Sequence, residues 1–280
     1  MRVSNVSLKC SLQIVRLSLR SFHEPYCRMY TIRHLGFLFA LSLLFIASCN
    51  PDDEDPVSPN GGAGGGAPIT IPEGCPGAST VTDIDGNVYP VVQIGNQCWM
   101  AENLRTTRYQ NGQPIPNVTA QEEWNTINSD ASCSYQNNSA NDYPHGRIYN
   151  WYAANDQPPI CPQGWHVPSD GEWVQMEIEL GVPATEAYTE GPRGTAHQVG
   201  GKMKTTGTIE AGTGLWLAPN YGATNASGFS AISSRSRSYT GFTGLGGIDT
   251  WWNKTAWNAE QGMQHTVRYD VMAVYRSRYN

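Results

Sequence analysis

The chain has 280 residues, 39% apolar, 15% charged and 10% aromatic, enough for one or two domains with a proper core. It holds a single apolar run of export-signal length, which excludes a polytopic membrane protein, and its aromatic content excludes a wholly disordered chain. The formal net charge of −6 hides an asymmetry. Residues 1–48 hold six Lys/Arg and one acid, which leaves 12 basic and 23 acidic residues, net −11, for the rest. A body that acidic repels phosphate backbones, and no basic stripe compensates, so no nucleic-acid partner is expected.

Residues 1–48 read as a signal region. The run LGFLFALSLLFIA at 35–47 is too short to cross a bilayer comfortably and suits a signal-peptide h-region, with Arg33 and His34 before it. Ile46-Ala47-Ser48-Cys49 closes the run and resembles a bacterial lipobox, in which the cysteine is lipidated and becomes the mature N-terminus. A compact signal begins at Met29. That reads as the true start, with residues 1–28 an over-extended reading of the gene and Cys10 and Cys27 outside the count.

Residues 49–74 read as a tether. The cluster Asp52-Asp53-Glu54-Asp55 behind Cys49 resembles the surface-export signal of lipoproteins in the Bacteroidota, and a run of Pro, Gly and Ala follows. A coil of ~25 residues has a root-mean-square reach of roughly 25–30 Å, so the domain is expected to stand off the membrane. The expected location is the outer membrane, lipid-anchored and facing outward, with the anchor as the only membrane contact.

The folded domain is expected over 75–280, where all nine Trp lie. Residues 80–84 alternate, Asp85-Gly86 is a two-residue hairpin signal, residues 87–92 return, and Gln97 to Met100 forms a third strand. Asp83, Asp85 and Asn87 have the opening of a calcium loop, but its Gly and Glu positions hold Val88 and Ile94, so a hairpin turn is predicted. A long polar stretch at 105–145 leaves room for a short helix at 121–125, and residues 146–154 read as a strand or helix start. Ser169, with Glu172 three positions on, is a capping box for a helix ending at Gly181, with Trp173, Met176 and Leu180 on one face. Residues 181–258 read as short strands and long loops, and the alternation over 266–276 as one last strand.

Four strings carry a family resemblance. They are Asp83-Ile84-Asp85-Gly86-Asn87-Val88-Tyr89 with Ile94-Gly95-Asn96-Gln97-Cys98-Trp99-Met100-Ala101-Glu102-Asn103-Leu104; Gly146-Arg147-Ile148-Tyr149-Asn150-Trp151; residues 161–173, CPQGWHVPSDGEW; and Asn225-Ala226-Ser227-Gly228-Phe229-Ser230-Ala231. In order and spacing the domain resembles the Fibrobacter succinogenes major paralogous domain family. The resemblance implies an α+β, C-type-lectin-like domain with small twisted antiparallel sheets, about two helices and long loops, carried on secreted and surface lipoproteins. Two departures stand out. The family's Val-Arg-Cys ending is replaced by Ala273-Val274-Tyr275-Arg276-Ser277-Arg278, and its Trp-Trp-Ser-Ser run by Trp251-Trp252-Asn253-Lys254.

With Cys49 lipidated, Cys75, Cys98, Cys133 and Cys161 remain. They allow three connectivities in an exported domain. Cys75–Cys98 would pin the domain entry to its sheet, worth roughly 3 kcal/mol in the chain-entropy model, and Cys133–Cys161 would close a second loop. No C-x-x-C or close His pair invites zinc.

Catalytic signals are thin. The histidines are scattered, and His166 reads as a hydrogen-bonded structural residue. Asp170 and Glu172 read as helix caps, no serine has a nucleophile-elbow frame, and no glycine run has the phosphate-loop lysine. Formylglycine-generating enzymes, on a related scaffold, use late cysteines, whereas this chain has none after Cys161. The calcium-binding lectin strings are also missing, since Asn253 is followed by Lys254 and Gln157-Pro158 by Pro159. The expectation is therefore no catalytic residue, metal or cofactor, and a binding or adhesion domain for a glycan or protein ligand. The alternatives are a polysaccharide-active hydrolase and a structural surface-layer or fimbria-associated subunit. Trp216, Trp251, Trp252 and Trp257, in the loop-rich half, are the candidate ligand-binding residues, with one of the adjacent pair Trp251 and Trp252 expected outside.

Overall fold

The computed structural model describes Leu8–Lys9, Cys75 and residues 79–155, 157–258 and 262–279. The signal run, Cys49 and the tether lie outside the described residues. Among those described, no helix is long and apolar enough to cross a membrane.

The strands are β1 (Leu8–Lys9), β2 (Thr80–Thr82), β3 (Val88–Ile94), β4 (Gln97–Met100), β5 (Ser132–Cys133), β6 (Ile148–Tyr149), β7 (Trp165–His166), β8 (Gly191–Arg193), β9 (Ser236–Ser238), β10 (Gly241–Thr243), β11 (Ile248–Ala256), β12 (Gly262–Arg268) and β13 (Val274–Tyr279). The helices are α1 (Gln121–Trp124), α2 (Asp142–His145), α3 (Trp151–Asn155), α4 (Asp170–Glu179) and α5 (Val199–Met203). This is an α+β arrangement of small sheets and short helices joined by long loops. One sheet runs β2-β3-β4-β1-β7 and another β11-β12-β13-β8, with β9–β10 and β5–β6 as two-stranded pairs. The pairings are antiparallel except at β1, which lies parallel between β4 and β7. The sequence reading did not include that strand.

Local chemistry explains the elements that were expected. Asp83 closes the first hairpin. Its carboxylate accepts from the Asp85 and Asn87 amides at 2.9 Å, from Asn87 Nδ2 at 2.9 Å and from the Tyr89 hydroxyl at 2.6 Å. The carboxylate is thus spent on the turn. Helix α4 starts with the expected capping box, in which Ser169 Oγ accepts from the Glu172 amide at 3.3 Å and Glu172 Oε2 accepts from the Ser169 amide at 2.8 Å. Its apolar face of Trp173, Met176 and Leu180 is buried as predicted. The last expected strand is instead two. The chain turns at Tyr269-Asp270, where Asp270 accepts from the Arg268 guanidinium at 2.6 and 2.9 Å, and β12 pairs back onto β13. The alternation misled because Val267 and Val274, on either side of the turn, both face the core.

Two apolar cores share their strands. Cys98, Met100 and Trp252 belong to one core, with Tyr89, Tyr149 and Trp165. Trp99 and Trp251 belong to the other, with Trp173, Trp216 and Phe229. Strand β4 and the Asp249–Asn253 stretch of β11 therefore have no wet face, and successive residues bury on opposite sides. A third, smaller cluster surrounds Trp124 and Cys133.

Cys75 and Cys98 form the expected disulfide. The Cys133–Cys161 pairing does not form. Cys133 is free and buried on β5 opposite Ile148, in the small cluster, and burial pushes its thiol pKa up to about 11. Cys161 packs in a different core, and its disulfide partner lies outside the described residues. The two sulfurs bury in separate clusters, a separation that sequence spacing does not reveal.

Helix α4 is docked by charge as well as by apolar packing. His265 Nδ1 lies 2.7 Å from Glu177 Oε1, and its Nε2 lies 3.1 Å from Asp170 Oδ1. Arg276 grips Asp170 through Nε and Nη2 at 2.8 and 2.9 Å, and Arg193 Nη1 sits 2.8 Å from Glu177 Oε2. Trp173 stacks on the His265 ring at 5.0 Å. Burial alone would lower the His265 pKa. The Glu177 charge and the contacts with Asp170 and Glu177 outweigh burial and the opposing Arg193 charge, raising it above 6.5. Burial would raise the Asp170 pKa, but His265 and Arg276 hold it well below 3.8.

The signs then fix a pH window. The His265 contribution is complete below pH 6.5 and is lost as pH rises through the raised folded value. The Asp170 contribution is complete above pH 3.8 and is lost as pH falls through the lowered one. His265→Gln should cost about 3–5 kcal/mol near pH 6. The thermal midpoint of the unmodified chain should fall as pH is raised above 6.5. The variant should show a smaller fall in the same titration.

Candidate functional site

A cavity of about 230 Å³ lies between the end of β4, the α2 loop, β11 and residues 229–232. Its wall includes Glu102, Asn103, Pro144, Phe229 and Ser230, and Trp251 lies at its base. Two of the four strings noted in the sequence supply lining residues directly, and a third supports it through Gly146.

Each wall is held by a specific contact. Asn103 is the central brace. Its Nδ2 donates to the His145 carbonyl at 3.1 Å, and its Oδ1 accepts from Trp251 Nε1 at 3.0 Å. Gly146 follows at φ +85°, where a Cβ would stand 2.5 Å from Asn103 Cβ, so the close approach requires glycine. On the opposite wall Ser230 has φ +59° and is clasped by Asn225. The Ser230 amide donates to Asn225 Oδ1 at 2.9 Å, and Asn225 Nδ2 donates to Ser230 Oγ at 3.0 Å. Ser227 Oγ donates to the Lys202 carbonyl at 2.9 Å and accepts from the Phe229 amide at 3.1 Å. The Asn-Ala-Ser-Gly-Phe-Ser-Ala string is thus a side-chain-tied loop that pins Phe229 inward.

The polar groups left facing the cavity are mainly acceptors. Thr205 and Ser230 donate their hydroxyl hydrogens to the carbonyls of Ala231 and Gly228 at 3.1 Å each. Glu102 is a carboxylate whose Oε2 lies 2.8 Å from Arg105 Nη1. That guanidinium packs 4.4 Å from the Tyr89 ring centroid and 5.4 Å from that of Tyr143. Tyr143, beside the lining residue Pro144, is 64% exposed. His145 behind the wall has its Nδ1 3.0 Å from the Ser233 carbonyl, and burial lowers its pKa. Asp249 lies deeper, near Asn103, Ser234 and the amides of Ile232 and Thr250. Neither of its oxygens reaches hydrogen-bonding geometry, and burial raises its pKa well above 3.8.

The structure disperses the predicted tryptophans. Trp216 and Trp252 are core residues, and Trp251, 1% exposed, meets the cavity only at its base. The expectation that one of Trp251 and Trp252 lies outside is corrected. Their side chains do point oppositely, but from a strand with a core on each side. Trp257 is 48% exposed, away from the cavity, with the Arg278 guanidinium 4.1 Å from its ring centroid. The four residues therefore do not make one site. The sequence reading missed Glu102, Asn103 and Tyr143 as site residues. For Glu102 and Asn103 the signal was available in the first string, whereas Tyr143 lies outside all four strings.

Among the described residues no group of three His, Cys, Asp or Glu could hold a metal ion. His166 makes a structural contact, its Nε2 3.1 Å from Glu172 Oε2. Trp251→Ala should cost about 3–5 kcal/mol by opening a cavity between Trp173 and Phe229. Chemical denaturation would measure this, and a loss below 1 kcal/mol would mean that Trp251 is not part of the core.

A family model described as Fibrobacter succinogenes major domain matches residues 92–280, well over half of the chain. No curated protein and no solved structure matches it. The chain belongs to the Fibrobacter succinogenes major domain family.

Proposed function

We propose that this is a surface-displayed lipoprotein whose C-type-lectin-like domain captures a glycan, without calcium, in the cavity braced by Asn103. The observation that carries the reading is the cavity itself: a ring-sized recess with an apolar base, acceptor hydroxyls, one carboxylate and an exposed tyrosine beside it. Its volume of about 230 Å³ suits one terminal unit rather than a long chain. A sugar brings hydroxyl donors to match the acceptors and C–H faces to lie against Tyr143 and Pro144. One ring in a shallow recess gives weak binding, and many tethered copies on one cell would multiply it. The lipid anchor at Cys49 and the acidic tether support display on the outer membrane. The hydrolase alternative wants two carboxylates ~5–9.5 Å apart, whereas the described lining of this cavity supplies Glu102 alone.

Two experiments test the reading. A glycan array probed with the chain should return weak, chelator-insensitive ligands. Tyr143→Ala and Glu102→Gln should reduce binding to those ligands several-fold with little change in thermal midpoint. Chelator-sensitive binding, or binding indifferent to both substitutions, would move the site elsewhere. Separately, Cys49→Ala should release the protein from membranes, and retention of the processed variant would remove the lipid anchor from the account.

A further inference from the structure

Residues 204–231 carry Thr205 and the 229–231 part of the cavity wall, yet apart from the single Lys204–Ala231 bridge that closes the segment no helix or strand occurs among them. Long loops that wall a site need something to fix them. The described disulfide lies elsewhere, and no metal-ligand group is present among the described residues. At the base of these loops sits Lys204, the first residue after α5, with 0% of its surface exposed. Its Nζ donates to the carbonyls of Arg268 at 2.7 Å, Val271 at 2.9 Å and Tyr221 at 3.0 Å. Three backbone oxygens from two separate segments thus converge on one ammonium and use all three of its donors. The face of Trp216 is 5.8 Å away. Asp270 supplies an opposite charge to the ammonium and is itself paired with Arg268. Burial lowers the Lys204 pKa to about 8, which leaves the group charged at neutral pH. The cage is also fixed sterically. A Cβ on Gly201 would stand 2.1 Å from the Gly222 carbonyl, so α5 and the Tyr221 segment meet backbone to backbone.

We propose that the carbonyls of Tyr221, Arg268 and Val271 form a monovalent-cation site whose resident cation is the Lys204 ammonium, and that this internal ion fixes the loop wall of the cavity. A free metal is then not needed to order the loops. The claim concerns loop order and stands whether or not the cavity binds a glycan.

The test compares Lys204→Ala and Lys204→Met in the full chain. Thermal midpoints are measured in ammonium chloride and in tetramethylammonium chloride at equal ionic strength. In the bulky salt both variants should melt roughly 5–10 °C below the parent. Ammonium should restore Lys204→Ala in a saturable way, because truncation leaves an empty three-oxygen site. It should leave Lys204→Met and the parent unchanged, since Met fills the approach without donating. Equal midpoints for Lys204→Met and the parent would overturn the proposal, as would a Lys204→Ala midpoint that is the same in both salts. If Lys204→Ala does not fold, the parent protein decides. A slowly exchanging Lys204 Nζ resonance with couplings to the three carbonyls supports the site, and a rapidly exchanging one overturns it.

Discussion

The position of His265 between two carboxylates is the constraint on which the rest of the architecture depends. One ring satisfies Asp170 at the start of α4 and Glu177 toward its end, so the helix can neither slide nor rotate on the sheet. Buried charge contributes little net stability, but it penalises every alternative docking in which a partner is lost. The fixed helix places Trp173 between His265 and Trp251 in a continuous stack. Trp251 then orients Asn103 through its indole hydrogen, and Asn103 sets the spacing of the cavity walls. A charge contact in the interior thereby determines the shape of a recess at the surface.

Much of the local structure was legible in the residues. The first hairpin, the third strand, the short helix at 121–124 and the capped helix α4 follow from turn residues, alternation and a capping box, all short-range signals. The failures share a cause. The 266–276 alternation passed over a turn because its residues keep the same facing before and after it. The Cys133–Cys161 pairing and the exposure of one of Trp251 and Trp252 depended on which core a side chain enters. A single strand's sequence cannot report that there is a core on each of its sides. The candidate site was half legible: its strings were visible, but what they build is set by contacts across more than a hundred residues, such as Trp251 to Asn103.

The acidic body and the internal cation belong to one picture. The chain beyond residue 48 carries net −11, a charge that attracts free cations, which a loop region ordered by them would then sense. Lys204 places a covalently attached ammonium where such an ion would sit, and the loops become indifferent to the ionic composition outside. That separates the shape of the recess from the medium.

Strand β11 has one further consequence. It lies between the two large cores, with Trp251 in one and Trp252 in the other, so neither core can open without removing a wall of the other. The cavity base is part of that shared wall. Opening it means breaching the most protected part of the molecule, at a free energy close to that of global unfolding. The recess is therefore preformed and stiff. Any group that enters it meets a fixed shape rather than a closing one, the same on every copy.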